Sequence, residues 1–152
     1  MRSTFQRLEL IAPDLSRRLG RATASQLRDI RAAVCHLAVC HVRLDDQIIN
    51  EALSVLDGSR PASPTLCQTA TERVDQLDLD YFTLQESADE GRASQDDVRV
   101  AFRRARAASA VAIAIAGPDA DTTRETIYEA AAATENVTEL ESLADAIFTK
   151  TL

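Results

Sequence analysis

TASQLRDIRAAVCHLAVCHVRLDDQIINEALSVLDG, residues 23–58, is the stretch that decides the fold of this chain. Leu27, Ile30, Val34, Leu37, His41, Leu44, Ile48 and Val55 recur within it at helical spacing, and no strand-like alternation competes. Thr23 and Gln26 form a capping-box pair at its start, and Gly58, Pro61 and Pro64 break it at the end. A helix of about 33 residues would run roughly 50 Å, against a diameter near 40 Å for a compact globule of this length. The unbroken stripe predicts one long second helix all the same, with Asp45-Asp46 the place to bend if it bends.

The flanking segments follow the same period. Phe5, Leu8, Ile11, Leu15 and Leu19 line a first helix, with Ser3 and Gln6 as its capping pair, Pro13 as a divider and Gly20 as its stop. Ser63 followed by Pro64 opens a third helix along Leu66, Ala70, Val74, Leu77, Tyr81 and Leu84. Ser94 and Asp97 start a fourth on Val98, Phe102 and Ala105, which turns apolar on all sides before Gly117-Pro118 and so reads as central. Thr122 with Glu125 and Asn136 with Glu139 mark two short last helices. The expectation is a single all-α domain over 1–152: an antiparallel helical bundle with a long second helix and two short C-terminal helices packed on it.

Composition narrows the function classes. Net charge is −7, and it is uneven: residues 1–60 carry nine basic and seven acidic side chains, residues 61–152 eight and seventeen. An acidic chain with no basic face is a poor match to nucleic acid. The most apolar run, Ala107 to Gly117, is too short for a bilayer span of about twenty residues. The start has no secretory h-region, and three cysteines without framework spacing suit a reducing compartment, so a cytoplasmic protein is expected.

Both histidines and two of the cysteines fall in AVCHLAVCHV, residues 33–42. At about 100° per residue, His36 and His41 diverge by about 140° and cannot chelate one ion from this helix. His36 and Cys40, spaced i,i+4, share a face and are the one candidate metal pair; Cys67, Glu72 or Asp75 would have to add a third ligand. His41 falls on the apolar stripe and is expected to be buried, with Cys40 beside it and Cys35 on another face. Arg99, Arg103 and Arg106 make a basic ribbon, either facing the Asp-rich third helix or offered to an acidic partner. Asp75, Asp78 and Asp80 read as a solvated acidic face.

There is no P-loop, dinucleotide fingerprint or nucleophile elbow. The expected function is a non-enzymatic protein-interaction module, of the kind met in bacterial immunity and adaptor proteins, acting through its charged surface without a cofactor. Its partner would be another protein or a second copy in a homodimer, with Arg99, Arg103 and Arg106 as contact residues. The alternative is a small metal- or thiol-dependent enzyme or sensor centred on His36, Cys40 and His41.

Overall fold

A computed structural model describes residues 4–150 of the chain, with side chains from Arg7 onward. It is all-α: the helices are α1 (Thr4–Ile11), α2 (Pro13–Leu19), α3 (Ala24–Val42), α4 (Gln47–Leu56), α5 (Pro64–Asp89), α6 (Gln95–Ala114), α7 (Ala120–Thr134) and α8 (Val137–Lys150), with no strand among the described residues. The Ser3–Gln6 capping pair falls outside the described side chains.

Local chemistry sets most boundaries where the sequence places them. Pro13 sits at the start of α2 and divides it from α1. Thr23 and Gln26 make the full reciprocal capping box of α3, at 2.9 and 3.1 Å. Ser63, Ser94 and Asn136 each accept the backbone N–H three residues on, at 3.0–3.2 Å. The start of α7 differs: Asp119, not Thr122, is the cap, and it accepts the Thr122 N–H at 2.8 Å.

The expected long second helix is two helices. Arg43 takes a left-handed conformation (φ 55°, ψ 45°), with the Arg43 N–H on the Cys40 carbonyl at 3.2 Å and the Leu44 N–H on the Val39 carbonyl at 3.1 Å. That pair of bonds is a Schellman stop built without glycine. Asp46 then restarts the chain as α4, accepting the Ile49 N–H at 3.1 Å and the Arg73 Nε–H of α5 at 2.5 Å. Folding back shortens the element to fit a compact body, and α5 becomes the longest helix.

The core is a single cluster of aliphatic and alanine side chains. Leu8, Leu19, Ile30, Val34, Ile49, Val111, Ile127 and Leu140 are its large, fully enclosed members. Alanine dominates where α6 meets α7, with Ala105, Ala107, Ala108 and Ala110 facing a helix that buries Ala130, Ala131 and Ala133. Small side chains let helix axes approach toward the short end of the usual 8–10 Å range. Of the two C-terminal helices, α8 packs on the bundle as expected, burying Leu140 and Ala144, and α7 goes further. α7 packs on α6, α3, α1, α8 and α2, and nine of its fifteen residues are buried, which makes it the hub. The turn leading into it is tight: a Cβ at Gly117 would stand 2.9 Å from Thr122 Oγ1.

Candidate functional site

The Cys-His segment separates into distinct environments. α3 buries Leu27, Ile30, Arg31, Val34, Cys35, Ala38 and Val39, an arc about half the helix circumference wide, because α7, α6 and α8 all pack on it. Cys35, expected on another face, lies inside that arc and is fully enclosed; burial pushes its thiol well above the ordinary range and keeps it inert. His41, expected to be buried, is exposed. Its angle on the helix is within the arc, but it occupies the last turn, where the Arg43 stop carries the chain away. It lies close enough to Glu135 to favour that carboxylate's charged form.

His36 and Cys40 do share an outward face, and Cys40 is exposed rather than beside the core. The ring of His36 is engaged: Nε2 lies 2.8 and 3.0 Å from the two carboxylate oxygens of Asp57, the C-terminal cap of α4, so Nε2 is the donating nitrogen. The pair stands in the wall of a groove of about 770 Å³ between α3, the end of α4 and α8. Among the described residues, no three His, Cys, Asp or Glu side chains gather as a metal site, so Cys67, Glu72 and Asp75 do not complete one. Cys67 instead directs its thiol at the Ile115 carbonyl, 3.7 Å away.

The arginine ribbon of α6 turns toward its own fold. Arg99 pairs with Glu135, its Nε–H donating at 3.1 Å. Arg103 donates to the Ala133 carbonyl at 2.6 Å, and Arg106 bridges Glu129 at 2.5 Å and Asp78 at 2.6 Å. Only Asp78 belongs to the Asp-rich helix; the other acceptors lie on or just beyond α7. The hydrogen bond and charge of Arg99 hold the Glu135 carboxyl below the usual carboxylate range. These arginines clamp the end of α7 to α6 and α5.

Apolar side chains stand open to solvent at Leu10 and Ile11 of α1 and on the outer half of the α5–α6 hairpin. α5 buries only Leu66, Ala70 and Val74, all in its first half, and α6 buries only Val98 before Ala105. Leu79 is 59 % exposed, Phe82 58 % and Phe102 37 %. Tyr81 joins the two phenylalanines, with ring centroids 5.1 Å from Phe82 and 5.3 Å from Phe102, in tilted geometry. Phe102, placed by its spacing on the core line of α6, is thus a surface residue with the Arg106 guanidinium 5.7 Å from its ring. Between Leu79 and Val98 six acidic side chains stand against Arg92 alone, and Arg92 is paired with Glu90. The sequence held a signal for this patch: Leu79 and Phe82 are an i,i+3 apolar pair off the Leu77–Tyr81–Leu84 line.

Compared with known proteins, the chain matches no family model, no curated protein and no solved structure. The reading of function therefore starts from this surface.

Proposed function

We propose that the chain is a protein-interaction module whose contact surface is the Leu79, Tyr81, Phe82 and Phe102 patch on the outer half of the α5–α6 hairpin. The observation that carries this reading is the placing of the aromatics. Three of the chain's six aromatic residues cluster at this one exposed spot, and the one described aromatic that packs against the core, Phe148, is only partly buried. Aromatic side chains give large contact area at low conformational cost and are enriched at binding hot spots. Leaving Leu79 and Phe82 in water forgoes about 1.5–3 kcal/mol per side chain that burial against a partner would recover.

Charge selects the partner. A second copy of the chain would bring its own excess of acid against the six acidic residues around the patch, and like charges face to face oppose docking. The fitting partner is a protein presenting apolar side chains within a basic face. Binding of that kind is stoichiometric, as in immunity and adaptor proteins, and the parallel is one of mode of action alone. Arg99, Arg103 and Arg106 then support the surface from behind rather than form it.

The test compares proteins captured from extracts of the source organism by the natural chain and by the L79S/F82S double variant. One discrete partner, basic in charge, retained by the natural chain, lost with the variant and released by salt, is expected. Equal capture by both chains overturns the assignment.

A further inference from the structure

Away from the hairpin, Arg31 of α3 is 5 % exposed and forms no ion pair among the described residues. Its Nη1 donates to the Pro118 carbonyl at 3.0 Å and to Thr123 Oγ1 at 2.9 Å. Among the described residues those are its only hydrogen bonds; Nε is buried without a partner there, and Nη2 has no acceptor. The other buried arginine, Arg124, has Asp121 at 2.6 Å. Asp119 is the carboxylate whose field reaches Arg31, but it serves as the cap of α7 on the Thr122 N–H. Burial pulls the Arg31 guanidinium below its ordinary value, as expected of a cation short of compensation.

The two unused nitrogens differ in access. Nε is enclosed, whereas Nη2, without a partner and not fully enclosed, keeps its N–H groups for an incoming carboxylate or phosphate oxygen. Arg31 lines a cleft of about 320 Å³, with Arg28 one turn earlier on the same helix, Val55 and Leu56 from α4, and Ala114 and Ile115 at the end of α6. That volume lies at the small end of the range for ligand sites. The C-terminal end of α6 adds partial negative charge nearby, which lessens the cost of the empty state without giving Nη2 an acceptor.

We propose that this cleft binds a small organic anion, with a carboxylate or phosphate oxygen on the unpartnered Nη2 of Arg31 and its apolar part on Val55, Leu56 and Ile115. Arg28, which is exposed, stands where the anion enters. The site is separate from the hairpin surface and does not depend on it.

The test follows the ¹H–¹⁵N signal of Arg31 Nε in the full chain during titration with butyrate, butyl phosphate and inorganic phosphate, with chloride holding ionic strength. Saturable movement of that signal with an organic anion, tighter than with inorganic phosphate, is expected. Tighter butyrate assigns a carboxylate ligand, and tighter butyl phosphate a phosphate ester. Arg31→Lys keeps the charge but loses the planar Nη2 donor, and should weaken binding by about tenfold or more. Arg28→Gln, at the exposed mouth, should weaken it less and leave the fold intact, which keeps the proposal testable if Arg31→Lys fails to fold. An Nε signal unmoved by all three anions overturns it. So does binding of inorganic phosphate as tight as the organic anions, or unchanged affinity in Arg28→Gln together with an Arg31→Lys chain that is unaffected or unfolded.

Discussion

α7 and the outer half of α5 show opposite uses of the same helical period. α7 buries nine of its fifteen residues, mostly alanines, threonines and one isoleucine, and is enclosed by five other helices. α5 is nearly twice as long yet buries three residues, and none of them lies beyond Val74. The interior is aliphatic and rich in alanine, while Phe82 and Phe102 stand outside. A bundle this rich in alanine gains less burial per residue than one built on leucine and phenylalanine. The contrast separates two tasks. α3, α6 and α7 hold the fold, and the hairpin beyond Val74 presents a surface.

The sharpest way to break that division is charge reversal at Arg106, which touches both regions. Arg106→Glu would set a third carboxylate against Glu129, only 5 % exposed in its side chain, and Asp78. A loss of about 4 kcal/mol or more in urea unfolding is expected, as for a broken buried pair. A stable Arg106→Glu chain would mean the ribbon is free for a partner after all. Ile127→Ala, inside the hub, should cost about 3 kcal/mol from lost burial and the cavity left behind.

The third case is the α3–α4 corner. Burial works to raise the Asp46 carboxyl, but the hydrogen bonds from Arg73 and the Ile49 N–H outweigh it and hold the group below the usual carboxylate range. A depressed carboxylate stabilises the fold above its unfolded value, near 4, and that stability is lost as pH falls through the folded value. Asp46→Ala should remove about 1–2 kcal/mol at neutral pH, cap and ion pair together. It should also flatten the decline in thermal stability below about pH 4. An unchanged acid profile would remove Asp46 as the restart signal of α4. The smallest effect belongs to the hairpin: Phe82→Ser should change stability by no more than about 0.5 kcal/mol, as is usual for exposed positions. A loss matching that of Ile127→Ala would place Phe82 in the core and end the comparison.

Much of this architecture was legible in the sequence because its punctuation is local. Thr23, Ser63, Ser94 and Asn136 cap the helices their patterns announce, and Pro13 and Gly58 break them. The break at Arg43 was hidden because a non-glycine residue takes the left-handed turn while the apolar stripe continues in phase through Ile48. The acceptor at Asp46 was the one local sign, and it counted for less than the stripe. Solvent exposure of His41 comes from its place in the last turn before the Arg43 stop, which helical periodicity does not encode. Phe102 shows the same limit: its spacing continues the Val98–Ala105 line, but its ring meets Tyr81 at the surface. Of the site, Arg99, Arg103 and Arg106 were visible as a ribbon, but their acceptors, Glu135, Ala133 and Glu129, lie some 20–40 residues on, where pattern gives no pairing.

The most direct measurement is photo-crosslinking from position 82 in the source organism, with position 142 on the exposed side of α8 as the control. A photoreactive residue at 82 should form one discrete adduct, mapped to a basic segment of another protein and missing from the control at 142. An adduct of twice the chain's own mass, or the same pattern from both positions, would contradict the hairpin as a docking surface for a basic partner.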